Sequence, residues 1–332
     1  MPTDAQIAMI KQIVERNRAA GIAVVYPPVI PSLGGKLFVT DLGTTEITIF
    51  SSIARGDVAP TGTISNALMT SPFGIYSDVP RTLLWVANPT PARILAFPNT
   101  GTGVVVPTID IEGISVGFTS PSDVAIDSAG QIYVADESGV GVFVFAASAN
   151  GNVAPIQNIT FIGSPAIVGI DVDSSGNIYC ADKTTNTIWV FAPGATGPAV
   201  PIRSINGALT GMDPTESANA LGALRLGPDG AIWVVVNGNT GYTQILRFAL
   251  TANGNVAPLS TLTLQIGGGP SMAAVDGITF DSSGNVVWVQ ISGSPPSIGF
   301  NQQSDTGSTP PEGTISGGST TLSVPWSVAF VG

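Results

Sequence analysis

Histidine is absent from the 332 residues, cysteine occurs once, at Cys180, and charged residues make up only 10% of the chain. Without imidazole there is no His general base, no Ser-His-Asp or Cys-His nucleophile system, no His-ligated zinc or iron, and no proton switch near neutrality. A single cysteine excludes an intramolecular disulfide and a thiolate metal cluster. The 11 Lys and Arg are outnumbered by 22 Asp and Glu, and the net charge of −11 argues against nucleic acid or an anionic membrane as partner. No run approaches the roughly 18–20 apolar residues that cross a bilayer, so membrane insertion is not expected. The N-terminus shows no basic region followed by an apolar core, so no signal peptide is visible, and a surface-exposed assembly or virion is expected rather than the cytoplasm.

What the chain does contain is 40 Gly and 26 Pro within a sequence that is 44% hydrophobic. That mixture predicts many short buried strands joined by tight turns. A segment with an aromatic second residue recurs six times: Leu37-Phe38, Leu84-Trp85, Ile132-Tyr133, Ile178-Tyr179, Ile232-Trp233 and Val287-Trp288. Each is followed by a strand ending in Phe: Phe50, Phe97, Phe145, Phe191, Phe248 and Phe300. A Gly-containing turn then leads through Pro to a strand closing on Ile64, Ile111, Ile159, Ile205, Leu262 or Ile315. A fourth strand reads apolar-polar-apolar, as in Gly169-Ile170-Asp171-Val172, and runs into Asp-Ser-Ser-Gly-Asn at 173–177 and 281–285. Asp and Ser favour such a turn and Gly accepts its positive φ.

Four antiparallel strands per repeat of about 50 residues predict an all-β, six-bladed β-propeller. The first aromatic strand has no fourth-type strand before it, and the chain ends on a lone strand, Pro325 to Val331. That strand is expected to complete the first blade from inside, a three-plus-one closure that removes free sheet edges. The succession Gly-Ile-x-x-Asp, Ile-Tyr-Val-Ala-Asp and Ile-x-Val-Phe resembles the NHL-repeat family over residues 36–332, most specifically at 121–191. The family's members include scaffolds, protein and RNA binders, and a lyase, so the resemblance implies the fold and leaves the activity open. Its zinc-type lyase chemistry would need His, which this chain lacks.

Residues 1–35 lie outside the repeat. Thr3 to Gln6 fits a capping box, and Ile7, Ile10, Ile13 and Val14 recur at helical spacing, predicting an α-helix over about 4–20 followed by a Pro-rich spacer. This helix either covers its own propeller or anchors the chain to a partner or neighbouring subunit. It carries three basic and two acidic groups over residues 1–20, so the acidity belongs to the propeller. Residue 36 enters from the face opposite the loops that join blades, predicting one face for attachment and one for contact.

Six positions open the innermost strands: Phe73, Ser122, Val168, Gly222, Asp276 and Trp326. Gluconolactonase-type propellers resemble this chain in blade number, and that resemblance implies a cation held there by carboxylate and Asn oxygens. One carboxylate in six, Asp276 with Asp123 nearby, is a poor match, so no cofactor is expected, with calcium confined to this alternative. Asp41, Asn88, Asp136 and Asp182 end the aromatic strands and are read as turn formers, with metal or ligand binding as the other reading. Trp85, Tyr133, Tyr179, Trp189, Trp233, Trp288 and Cys180 are read as core. Trp326 and Phe73 open innermost strands, and Trp326 would serve a glycan-binding alternative. The leading expectation is a non-catalytic interaction or structural propeller that binds a protein or assembles with itself. A cation-dependent lactonase and a glycan binder are the alternatives.

Overall fold

The structure, a computed structural model, describes residues 35–139, 141–161, 163–212, 220–238, 243–264, 274–291 and 294–332. The helix expected over 4–20, with Ile7, Ile10, Ile13 and Val14, lies outside the described residues, as does the spacer up to residue 34. Among the described residues there is no α-helix, only three single-turn 3-10 segments.

Six antiparallel sheets follow one another along the chain. Their innermost strands, from blade one to blade six, are Pro325–Val331, Ile75–Asp78, Pro121–Ile126, Ile167–Val172, Ala220–Leu226 and Val275–Phe280. Each contacts the next, and the sixth contacts the first, so the ring is closed. Closure uses the C-terminal strand: Lys36–Asp41 pairs antiparallel with Pro325–Val331, Lys36 opposite Val331. Blade one is therefore built from both ends of the propeller.

The core is a set of clusters between neighbouring blades, because every sheet is covered on both faces. One β-branched or aliphatic pair marks the same place in all six blades. Ile47 faces Ile64, Ile94 faces Ile111, Val142 faces Ile159, Ile188 faces Ile205, Ile245 faces Leu262 and Ile298 faces Ile315. Such cross-strand pairs hold the outermost strand on the sheet.

The outer edges are also covered. The turn before the outermost strand carries a Gly at positive φ in every blade: Gly56, Gly103, Gly151, Gly197, Gly254 and Gly307, between 63° and 81°. Each bonds the outermost strand of the preceding blade; Gly151 N–H, for example, reaches Asp110 O at 2.7 Å and Gly307 N–H reaches Thr261 O at 2.7 Å. The lapped turns form a girdle that removes the outer free edges, as ring closure removes the others.

Blade six departs from the expected register. Its second strand is Val286–Gln290, and Val287, not Trp288, occupies the place of Tyr179. Trp288 points to the opposite face, against blade five, where Gly299 leaves room for its ring and Asn301 Oδ1 accepts its Nε1–H at 2.9 Å. Because strand side chains alternate, the one-residue shift exchanges the buried faces. Phe300 accordingly faces blade one.

Candidate functional site

The starts of the innermost strands and the connections between blades lie on one face, here called upper. Lys36 and Gly332 lie on the other, because Lys36 pairs with the far end of the innermost strand. On the upper face the six entrance residues, Phe73, Ser122, Val168, Gly222, Asp276 and Trp326, gather around one cavity of about 450 Å³ at the axis. They are tied blade to blade. Thr40 Oγ1–H reaches Phe73 O at 2.7 Å, Gly74 N–H reaches Ser122 O at 3.0 Å, and Ser122 Oγ–H reaches Ile167 O at 2.6 Å. Glycine permits this close approach: a Cβ on Gly169 would lie 2.5 Å from Leu224 N.

Three sectors compose the mouth. Phe73 and Trp326, from adjacent blades, stack with centroids 4.5 Å apart and planes at 26°. Asp276 and Asn237 form the second sector: Asn237 Nδ2 donates to Asp276 Oδ1 at 3.3 Å. The amide is itself fixed by Val275, whose N–H it accepts at 3.0 Å and whose carbonyl it donates to at 3.0 Å. The third sector is an ion pair between Lys183 and Glu137, which follow the aromatic strands of blades four and three. Burial pushes the Asp276 carboxyl up to about 6, partly opposed by the Lys183 charge.

Asp123 also lines this cavity but is already taken. Arg225, on the innermost strand of blade five, clamps its carboxylate with two bonds, Nη1 to Oδ2 at 2.6 Å and Nη2 to Oδ1 at 3.0 Å. The same guanidinium donates to Ile170 O of blade four at 3.2 Å and to Ile75 O of blade two at 3.2 Å. Blade two is diametrically opposite blade five, so Arg225 crosses the axis and bolts it shut. Although burial disfavours its charge, Asp123 outweighs that cost and raises the Arg225 pKa. Below the bolt lies a second cavity of about 340 Å³, lined by Tyr76, Asp171, Thr279 and Phe330 among others. Asp171 there accepts from Leu226 N–H and Val172 N–H, both at 2.8 Å, while burial pushes its carboxyl up to about 6.

The carboxylates and amides ending the aromatic strands staple loops. Asp41 accepts N–H bonds from Gly43, Thr44, Ser323 and Val324, joining the hairpin of blade one to the last connection between blades. Asn88, Asp136 and Asp182 do the same in blades two, three and four. Trp85, Tyr133, Tyr179, Trp233, Trp288 and Cys180 are buried, whereas Trp189 is half-buried against Phe161 and Asp182. Among the described residues no three His, Cys, Asp or Glu side chains come together. Arg225 is the residue that the repeat pattern does not announce. Its signal is a charge within the apolar strand Leu221-Gly222-Ala223-Leu224-Arg225-Leu226, where a sheet covered on both faces has no place for one.

A family model described as NHL repeat matches residues 118–144, which run from the connection between blades two and three into the third strand of blade three. The chain is a six-bladed β-propeller that carries an NHL repeat. No curated protein sequence matches it. Among solved structures, this propeller is similar to a chain of the nidogen/laminin complex, at 12% identity with a TM-score of 0.60, covering 90% of this chain and 98% of that one. A protein of unknown function from Bacteroides caccae gives 8% identity and a TM-score of 0.59, with 90% and 98% covered. Virginiamycin B lyase from Staphylococcus aureus gives 17% identity and a TM-score of 0.52, with 77% and 73% covered. Identities this low speak for the fold alone.

Proposed function

We propose that this NHL-repeat propeller is a non-catalytic interaction module that receives a protein partner, or a second copy of itself, on its upper face. Residues 1–35 serve as its attachment from below, within a surface or particle assembly. The observation that supports this reading is the division of the axis. The Arg225–Asp123 bolt separates the two cavities, and the upper one opens on the face away from the point where the chain enters at Lys36. A pocket of a few hundred cubic ångströms with mostly apolar walls and a few convergent polar groups is the usual form of a binding site. The chain in the nidogen/laminin complex, built on the same fold, belongs to a protein complex, a fold-level analogy only.

The lactonase alternative requires oxygen ligands that converge, since calcium takes about six to eight. Here Asp123 is held by Arg225, and Asp276 is left with an amide neighbour.

Lysine supplies the test. The chain has only Lys11, Lys36 and Lys183. Lys183 marks the upper mouth and Lys36 the lower face. In the native assembly, amine labelling is expected to show Lys183 protected and cross-linked to the partner, while Lys11 and Lys36 report the attachment side. Protection of Lys36 with Lys183 fully reactive would overturn the assignment of faces.

A further inference from the structure

Resting on the docking reading above, we infer that the upper mouth is a slot for an ammonium group on an apolar stem, the side chain of a lysine presented by the partner. Phe73, Trp326, Val168 and Leu221 supply the apolar wall along which four methylenes can lie. Asp276 supplies the charge. Its Oδ1 is engaged by Asn237, and its Oδ2 has no hydrogen-bond partner among the described residues.

The charge count of the mouth is what selects a cation. Asp123 is neutralised by Arg225, and Glu137 by Lys183, which leaves Asp276 as the one unbalanced charge among the described residues of the cavity wall. No other described basic group can turn to it: Lys36 lies on the opposite face, Arg55 stacks on Phe300, and Arg81, Arg93, Arg203 and Arg247 are held in their own bonds. A partner's cation therefore completes a pair that the described residues leave open.

The geometry also separates lysine from its competitors. Guanidinium prefers a carboxylate with both oxygens available, and only one is open here, which suits the point charge of an ammonium. A sugar needs several open donors and acceptors around an aromatic face. In this mouth Ser122 and Asn237 are already bonded, and Phe73 and Trp326 cover one face of each other. One open carboxylate oxygen is too few for calcium.

The test uses the whole protein and four probes: the Nα-acetyl methylamides of lysine, norleucine and arginine, and methyl glucoside. Of the five Trp, Trp85, Trp233 and Trp288 are buried, so a Trp189→Phe background leaves Trp326 as the responsive fluorophore. The lysine probe should give a saturable change, with norleucine and arginine about tenfold weaker or more, since they lack either the charge or its compact shape. Asp276→Asn, whose folding is checked by circular dichroism, should weaken lysine by about tenfold and leave norleucine unchanged. Equal binding of lysine and norleucine, indifference to Asp276→Asn, or tighter binding of methyl glucoside would each overturn the slot. If no probe binds while Lys183 is still protected in the assembly, the slot fails and the docking face stands. If lysine binds while Lys183 stays reactive, the slot stands and the docking face fails.

Discussion

Acidic residues in the hairpin turns that follow the innermost strands and in the cavities on the axis of this propeller sit in opposite surroundings. In the turns, Asp173 receives N–H bonds from Ser175 and Asn177, the Asn177 amide and the Tyr179 hydroxyl. Asp229 receives Trp233 Nε1–H at 3.1 Å and Arg247 at 2.6 Å. Partial burial works to raise both, but these bonds outweigh it and hold both carboxyls below their ordinary value. At the axis, burial dominates and pushes Asp171 and Asp276 up to about 6. The turn carboxylates are ionised and stabilise their hairpins. Axial carboxylates are stabilising only where a cation reaches them, as Arg225 reaches Asp123. The uncompensated one, Asp276, is where a partner has something to add.

The largest break in that comparison is at the bolt. Arg225→Met leaves Asp123 buried without its cation and should destabilise the fold by about 3–5 kcal/mol in denaturant titrations, with most of the loss recovered by adding Asp123→Leu. If the single change is neutral, the axial pair has no such role. Next is the close approach of blades four and five. Gly169→Ala places a methyl 2.5 Å from Leu224 N, and overpacking of this kind costs about 1–3 kcal/mol. At the rim the effect should be smaller. Gly254, at φ 73° with open space around it, should lose about 1 kcal/mol on change to Ala, because only the backbone conformation is penalised.

The pH profile sharpens the contrast by its sign. Up to about pH 6 the native axis keeps protons on Asp171 and Asp276 that the unfolded chain releases near pH 4, so stability falls as pH rises through that window. The contribution of the turn residues Asp173 and Asp229 is present above about pH 4 and lost as pH falls below it. From these four groups, maximum stability is expected near about pH 4. Asp276→Asn should raise the melting temperature at pH 7 and leave it unchanged at pH 4, with Lys183 and Glu137 as the charged groups that act on it. A profile that rises steadily to pH 7 in both proteins would contradict the axial assignment.

Much of this architecture was legible because the repeat is written in residues that a blade needs. The Phe-ended strands, the closing Ile or Leu, the Asp-Ser-Ser-Gly-Asn turns and the orphan C-terminal strand together predict six blades and their closure. The register of blade six was the exception, and it carried a warning. Ile298 and Phe300 stand two residues apart where the other five pairs stand three apart, such as Ile188 and Phe191. That spacing is what an aromatic on the opposite face of the strand requires.

The candidate site was legible as a set of positions, and the six entrance residues do meet at one mouth. Their partnerships were not. Nothing local relates Arg225 to Asp123, 102 positions away, or to a carbonyl on the opposite blade. Whether a carboxylate at the mouth is free or spent depends on that crossing, which only the closed ring creates.

The most direct test of the docking face is the accessibility of Trp326 to acrylamide, measured in the Trp189→Phe protein alone and in its native assembly. Trp326 lines the upper mouth, while Trp85, Trp233 and Trp288 are buried in either state. Docking on the upper face predicts that quenching of Trp326 falls severalfold on assembly. Unchanged quenching, with Lys36 protected from amine reagents in the same sample, would place the partner on the lower face and contradict the account.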